Sequence, residues 1–272
     1  MTTPIFILSS GRSGTQMMEK LFSSFKDIEV HHEYLCNIIQ PLGTKYFMNL
    51  INDEEVDEII DTTYGSAINL SQKNFWMDSS NKLSWIGEPL IRRFPNAKFI
   101  HVVRDGRRVV SSYFNKLFAE CYDDYSTECL YNYTQNQSAE PPPEKKFWWP
   151  LIQHNGNYEN FLNLNQFQKI CLHWSEINKN IEKSLKKANP SNVYKVKLED
   201  LVEKKEVYDE LISFLNFAPD EDHFNDLKKP HNVNIPYSFE LQGAELEQFN
   251  EICGLTMKKY GYNIQKDYRV KY

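Results

Sequence analysis

A short loop near the start of the chain has the composition of a phosphate-binding site. Residues 9–15 read Ser-Ser-Gly-Arg-Ser-Gly-Thr and join an apolar run, Ile5–Leu8, to a segment whose apolar residues recur at helical spacing. Glycines let the backbone turn tightly, so that successive amide N–H groups and the start of the helix point at an anion. Arg12 adds a planar cation that can bind two oxygens at once. The loop therefore predicts an anion site with Arg12 as its charged side chain.

A second anion site is indicated after residues 98–103, the clearest strand pattern in the chain. Arg104 directly follows this run, and Ser112 lies eight residues later in the helix predicted to come next. Both side chains suit one phosphate, because the arginine supplies charge and the serine a hydroxyl donor. Lys116 lies one further turn along the same helix face. Two strand-end sites in one sheet favour a ligand with two separate anionic groups.

The first loop departs from the pattern that binds a nucleoside triphosphate. A loop of the G-x-x-x-x-G-K-[ST] type needs a lysine after its second glycine, and here Thr15 follows Gly14. Without that lysine, a magnesium–triphosphate ligand loses a main contact. A P-loop kinase that transfers phosphoryl groups therefore stays as an alternative to be tested, as does a nucleotide-binding protein without catalytic activity.

Short apolar runs alternate with helical patterns along most of the chain, which predicts the α/β class. Such units form a parallel sheet with helices on its faces, and ligands bind where the strands end. We expect one domain over residues 1–272, with a P-loop-like parallel β-sheet. Residues 119–165 break the pattern, since they are rich in tyrosine and asparagine and contain three consecutive prolines and a Trp-Trp pair. We expect a long irregular insertion there, either a functional lid or a disordered segment.

Composition narrows the classes of partner and compartment. The net charge of −6 argues against a nucleic-acid-binding domain. The five cysteines form no C-x-x-C pair, and no histidine or cysteine group has ligand spacing, so we expect a cytoplasmic location and no metal. The chain start lacks the features of a signal peptide, and no apolar run approaches the roughly 18 residues of a span, so no membrane span is expected.

At the two anion motifs the sequence resembles the sulfotransferases that use 3′-phosphoadenosine 5′-phosphosulfate, nearest their tyrosylprotein and bacterial carbohydrate-type branches. Those branches have R-S-G-T-T where residues 12–16 read R-S-G-T-Q, and they share an arginine and a serine eight residues apart after a later strand. The resemblance implies an enzyme with this donor as co-substrate. It implies that the 5′-phosphosulfate is bound by Arg12, Ser13, Gly14, Thr15 and Gln16, and the 3′-phosphate by Arg104 and Ser112. Lys229 and Asn232 resemble residues of a late loop that closes over the donor.

The resemblance also suggests the base that removes the acceptor's proton. Glu33 lies 21 residues after Arg12 and resembles the base carboxylate of the tyrosylprotein branch, whereas other branches use a histidine, for which His32 is the candidate. Residues 79–80 are serines, and one of them falls where that branch has a lysine that supports the transition state. Lys82 lies about three residues further on and is not assigned this role.

The expected reaction is in-line displacement of a sulfuryl group onto an acceptor hydroxyl, in which positioning and charge stabilisation supply most of the catalysis. Arg12 and the loop amides are placed to stabilise charge on the departing phosphate oxygen. Trp148 and Trp149 suit stacking on sugar faces, so a carbohydrate hydroxyl is our first expectation for the acceptor. Tyrosine in a protein, or a small alcohol or phenol, comes next.

Overall fold

A five-stranded parallel sheet forms the centre of the protein. The structure is a computed structural model, and it describes residues 2–117, 120–228 and 241–264. The strands are β1 (Thr3–Ser9), β2 (Ile28–His32), β3 (Phe75–Ser79), β4 (Lys98–Val103) and β5 (Val193–Lys197), in the spatial order β2-β3-β1-β4-β5. Every pairing within this sheet is parallel. The predicted α/β class with a parallel sheet is confirmed.

Helices cover both faces of this sheet. They are α1 (Thr15–Ser23), α2 (Cys36–Phe47), α3 (Asp53–Ile60), α4 (Ser66–Leu70), α5 (Gly87–Arg93), α6 (Gly106–Lys116), α7 (Asp124–Gln135), α8 (Tyr158–Leu162), α9 (Gln166–Leu185), α10 (Leu198–Glu203), α11 (Lys205–Phe214), α12 (Glu221–Leu227) and α13 (Gly243–Lys259). Shorter helical turns cover Asp61–Gly65, Asn81–Trp85, Lys145–Phe147 and Pro190–Asn192. Within the described residues, every helix is too short or too polar to cross a bilayer.

Strand β1 is the buried centre of the sheet because its side chains alternate between two apolar layers. Ile5 and Ile7 pack in the layer that contains Phe22 of α1, whereas Phe6 and Leu8 pack in the layer that contains Ile181 of α9. A strand covered on both faces needs a continuous apolar run, and this is the pattern of a central parallel strand. Burial on both faces fixes the position at which β1 ends and the Gly-containing loop begins.

The segment 119–165 is more regular than predicted. It contains α7, the turn Lys145–Phe147 and α8, so the prediction of little regular structure is wrong for these parts. Asp123 caps the start of α7, because its side chain accepts a hydrogen bond from the Ser126 N–H. The aromatic residues of the segment are largely buried, with Phe161 fully covered and Trp148 only 3% exposed. Most of the tyrosines and both tryptophans of the segment thus pack in or against a second core beside the sheet, whereas Tyr125 is exposed.

Candidate active site

A cavity of about 330 Å³ opens beyond the carboxyl ends of the strands. Its wall is formed by residues that follow β1, β2, β3 and β4, together with α6 and the segment around Lys145. The residues used below that line it are Gly11, Arg12, Gly14, Thr15, Gln16, His32, Glu33, Gln40, Lys82, Arg104, Ser112, Lys116, Glu120, Lys145, Lys146 and Trp149. The sequence motifs that follow three different strands therefore meet in one place.

The loop after β1 requires glycine at both of its glycine positions. Gly11 and Gly14 have φ angles of 78° and 84°, in the left-handed region that favours glycine. A Cβ atom on Gly11 would lie 1.9 Å from the Tyr113 hydroxyl, and one on Gly14 would lie 2.8 Å from a methyl group of Leu198. The loop is therefore packed from behind by side chains of α6 and α10, and its shape is fixed.

Helix α1 begins directly after this loop and directs its amino end at the cavity. Gly14 provides no side-chain cap, and Thr15 and Gln16 line the cavity. The start of a helix carries partial positive charge, which favours an anion there. Ser13, predicted to bind the donor, is fully buried, and its hydroxyl bonds to the Gly11 carbonyl at 2.9 Å. Its side chain supports the loop rather than lining the cavity.

The two predicted anion sites are joined by hydrogen bonds. The Arg12 Nε donates to the Ser112 hydroxyl at 2.9 Å, and the Arg104 Nη1 donates to the Arg12 carbonyl at 2.7 Å. Lys116 lies on the same side of the cavity, and its pKa is lowered by burial and by the nearby charges of Arg12 and Arg104. Crowding of three cations raises the local positive potential, which an anionic ligand relieves.

Glu33 is held by two lysines on the opposite side of the cavity. Its carboxylate forms an ion pair with Lys82, and its second oxygen lies 3.6 Å from the Lys145 Nζ. Burial raises the pKa of Glu33, but the charges of Lys82, Lys145 and His32 outweigh it, so the pKa lies below its ordinary value. Glu33 is therefore ionised at neutral pH and able to accept a proton.

His32, the alternative base, has one ring nitrogen engaged. Its Nδ1 lies 2.6 Å from the Ser79 carbonyl oxygen, which can only accept, so Nδ1 carries the proton. In the neutral form of the ring, the Nε2 atom then has the lone pair that a base requires. Both candidate bases line the cavity, so the choice between Glu33 and His32 stays open at this level.

Lys82 lines the cavity, although the resemblance in sequence assigns it no role. The turn Asn81–Trp85 follows β3 after Ser80, whose hydroxyl accepts from the Lys82 N–H at 3.2 Å. This turn directs Lys82 inward, and its side chain is only 8% exposed. Ser79 does not replace it, because the Ser79 hydroxyl donates to the Thr15 carbonyl. The sequence signal for Lys82 is its place three residues after the end of β3, where ligand-binding side chains collect. The resemblance alone does not reveal it, because the family's lysine matches residues 79–80.

Asp78 supports the backbone turn that carries Glu33. One of its oxygens accepts from the Tyr34 N–H at 3.2 Å and the other from the Tyr64 hydroxyl at 2.9 Å. Glu33 itself has a φ angle of 56°, an uncommon conformation for a residue with a side chain. Burial raises the pKa of Asp78 to about 7. Asp78 thus stabilises a strained turn and places the Glu33 carboxylate at the cavity.

Of the two adjacent tryptophans, only one reaches the cavity. Trp149 lines it, and its indole N–H donates to the Glu120 carbonyl at 2.7 Å. Trp148 is buried against Tyr133 instead, so it is not available to stack on a sugar beside Glu33. Trp149 is therefore the tryptophan placed beside Glu33, whereas Trp148 lines a wider groove next to the cavity.

The predicted late-loop residues Lys229 and Asn232 lie outside the described residues. Leu198, the first residue of α10, packs against Gly14 and so contacts the β1 loop. The described part of the two predicted anion sites therefore consists of the β1 loop, the start of α1 and the side chains after β4.

Comparison with known proteins agrees with these motifs. Residues 45–141 match the model of a sulfotransferase family, a stretch that includes Arg104 and Ser112. Among curated proteins, none matches the chain. Three solved structures share the fold, and for each the alignment covers 97% of this chain.

The first is the sulfotransferase domain from the curacin biosynthetic pathway, at 16% identity, a TM-score of 0.51 and 99% coverage of that chain. The second is a sulfotransferase from Alicyclobacillus acidocaldarius, at 14% identity, a TM-score of 0.50 and 97% coverage. The third is the sulfotransferase domain from the Synechococcus PCC 7002 olefin synthase, at 15% identity, a TM-score of 0.52 and 96% coverage. The family model matches residues 45–141 of this chain, and the three solved structures, at 14–16% identity, show that the fold is shared.

Proposed function

We propose that this protein transfers a sulfuryl group from 3′-phosphoadenosine 5′-phosphosulfate to an acceptor hydroxyl. The observation that carries the proposal is the meeting of two anion sites and a carboxylate in one cavity. Arg12 links the two predicted anion sites, because its side chain donates to the Ser112 hydroxyl and its carbonyl accepts from Arg104. A donor with a 5′-phosphosulfate and a separate 3′-phosphate has the two anionic groups that such a site fits.

The residues of the first site would hold the 5′ end of the donor. The helix start and the Arg12 guanidinium are placed to bind phosphosulfate oxygens and to stabilise charge on the departing phosphate oxygen. Arg104, Ser112 and Lys116 would hold the 3′-phosphate. The late-loop residues Lys229 and Asn232 are proposed donor contacts on the strength of the sequence resemblance alone.

The proton of the acceptor hydroxyl would pass to Glu33. As the acceptor oxygen bonds to sulfur, the bond from sulfur to the donor phosphate oxygen breaks, and the proton moves to the Glu33 carboxylate. Lys82 lies beside that carboxylate and would stabilise negative charge on the transferring oxygens. His32 Nε2 is the alternative proton acceptor, and substitution of Glu33 separates the two.

A carbohydrate hydroxyl remains our first proposal for the acceptor, followed by tyrosine or a small alcohol or phenol. Trp149 supports an acceptor with a flat apolar face, since its ring lines the cavity near Glu33 and Lys145. Its indole N–H is already bonded to Glu120, so its contribution would be stacking.

A calorimetric titration tests the donor proposal. We expect adenosine 3′,5′-bisphosphate to bind without magnesium, and more tightly than adenosine 5′-phosphate. In Arg104→Ala the affinity for the bisphosphate should fall about ten- to hundredfold, with a much smaller effect on the 5′-phosphate. Arg93→Ala is the matched control, because Arg93 pairs with Asp61 on the surface. Equal weakening of both nucleotides in Arg104→Ala, or binding of ATP with magnesium in preference, would contradict the proposal.

A further inference from the structure

A second, wider groove joins the cavity at Lys145, Lys146 and Glu120. It has a volume of about 1020 Å³ and runs between α2 and residues 140–146. Lys145, Lys146 and Glu120 line both the groove and the cavity, so they mark the junction between the two. An acceptor that enters along this groove passes this junction before it reaches Glu33.

The backbone at the junction is fixed by side chains of α2. The Gln40 amide donates to the Lys145 carbonyl at 2.9 Å and to the Trp148 carbonyl at 3.1 Å, and the Thr44 hydroxyl donates to the Trp148 carbonyl at 2.7 Å. Gln40 is only 5% exposed, so these bonds form away from solvent. The backbone of Lys145 is therefore placed precisely enough to carry a recognition residue, whereas its side chain is 44% exposed and can turn.

The contact between Lys145 and Glu33 is weaker than the one that Glu33 makes with Lys82. The Lys145 Nζ lies 3.6 Å from the carboxylate, beyond hydrogen-bond distance, and the side chain is 44% exposed. Exposed ion pairs of this kind contribute little to stability, so Lys145 can exchange Glu33 for another anionic partner at little cost. Glu33 keeps its ion pair with the buried Lys82 when Lys145 turns away.

The charges around the cavity favour an anionic ligand. Of the basic side chains that line it, Arg12, Arg104 and Lys116 would face the donor and Lys82 pairs with Glu33, so Lys145 and Lys146 remain to face an acceptor at the junction. Lys146 has a partner outside the cavity lining, since it pairs with Glu144 at 3.6 Å. Lys145 is the cation at the junction that pairs with Glu33. In the proposed reaction the Glu33 carboxylate turns to the acceptor hydroxyl, so Lys145 then needs another anionic partner.

We propose that Lys145 is a specificity-determining residue that selects acceptors with an anionic group close to the hydroxyl that receives the sulfuryl group. The proposal rests on the proposed function. Lys145 leaves Glu33 and pairs with the acceptor's anion, which places the hydroxyl next to the carboxylate. A carboxylate, sulfate or phosphate on the acceptor satisfies the same chemistry.

The test compares acceptors that differ only in charge. We use 4-hydroxyphenylacetate against 4-hydroxyphenylacetamide, and methyl glucuronide against its uronamide, with adenosine 3′,5′-bisphosphate present for binding and the sulfated donor present for transfer. We expect the wild-type protein to bind the anionic member of at least one pair about tenfold more tightly. In Lys145→Gln this preference should fall below about twofold, and Lys145→Arg should keep it. Lys179→Gln is the control, since Lys179 pairs with Glu176 on the surface.

The two measurements separate this inference from the proposed function. An equal affinity of the wild-type protein for both members of both pairs, or a preference that survives in Lys145→Gln, overturns the role of Lys145 whatever the transfer assay gives. A charge preference in binding that depends on Lys145, without transfer to either acceptor, supports the role of Lys145 and counts against the proposed reaction alone.

Discussion

Replacement of Lys82 by methionine tests whether the buried lysine beside Glu33 acts in the reaction. Methionine keeps the length and apolar stem of the side chain and removes its charge. Lys82 is 8% exposed and Glu33 is 25% exposed, so the pair is only partly screened by water. Loss of one preorganised charge at a reacting oxygen typically lowers kcat by about 10²- to 10³-fold. We therefore expect kcat to fall by about this factor, with a smaller change in donor affinity.

The same variant changes the pH dependence in a defined direction. Burial raises the pKa of Glu33, and Lys82 is the largest of the effects that lower it. Because Glu33 accepts a proton only when ionised, loss of Lys82 raises its pKa and moves the acid limb of activity to higher pH. The lowered pKa of Glu33 stabilises the folded protein at pH values above the pKa of Glu33 in the unfolded chain, and this stabilisation is lost as the pH falls. Lys82→Met should lose part of this stabilisation. Burial lowers the pKa of Lys82, so the methionine also removes the cost of burying that charge. We therefore expect a destabilisation of about 1–3 kcal/mol, less than for a fully buried pair, because this cost is removed and Lys145 remains.

The assay is initial-rate transfer from a donor labelled in the sulfuryl group, between about pH 4 and pH 9, with denaturant unfolding of each variant. Lys187→Met is the matched control, since it removes a lysine that pairs with Glu88 on the surface. A Lys82→Met protein that is folded and keeps kcat within about threefold, with an unmoved acid limb, would refute the role of Lys82.

Three further outcomes follow from the same contacts. Glu33→Gln should abolish transfer while calorimetry shows unchanged binding of adenosine 3′,5′-bisphosphate, and full activity would remove Glu33 from the mechanism. Gly11→Ala should lower donor affinity and stability by more than about 1 kcal/mol each, because its Cβ would meet the Tyr113 hydroxyl at 1.9 Å; Gly156→Ala, at a φ of 87° with open space around it, should show strain alone. Asp78 has a pKa raised to about 7, so its contribution to stability is present at low pH and lost as pH rises through 7. Asp78→Asn should lack this change in denaturant unfolding between pH 5 and pH 8, and an unaltered pH profile would contradict the assignment.

The parts of the site that the sequence predicted are those encoded by local patterns. The apolar run of β1 with its glycine loop, and the run of β4 that ends at Arg104, are each readable within about a dozen residues. Both motifs follow parallel strands, and the carboxyl ends of such strands share one edge of the sheet. That rule was sufficient to predict that Arg12 and Arg104 lie together, as their hydrogen bond confirms.

The parts that escaped prediction depend on contacts between distant segments. The turn that directs Lys82 inward is held by Ser80, and its partner Glu33 lies 49 residues earlier. Likewise, Gln40 bonds to the backbone of Lys145, which is 105 residues away. No spacing rule connects such positions. The sequence predicts an irregular insertion because its tyrosines and asparagines conceal the apolar face that packs into the second core.

The central claim is that the two anion sites and Glu33 together carry out sulfuryl transfer. The most direct measurement incubates the protein with 3′-phosphoadenosine 5′-phosphosulfate labelled in its sulfuryl group and a panel of carbohydrate, phenolic and peptide hydroxyls. We expect label on at least one acceptor, equimolar release of adenosine 3′,5′-bisphosphate, and loss of both in Glu33→Gln. Transfer of a labelled terminal phosphoryl group from ATP instead, with no transfer from the sulfated donor, would contradict the account.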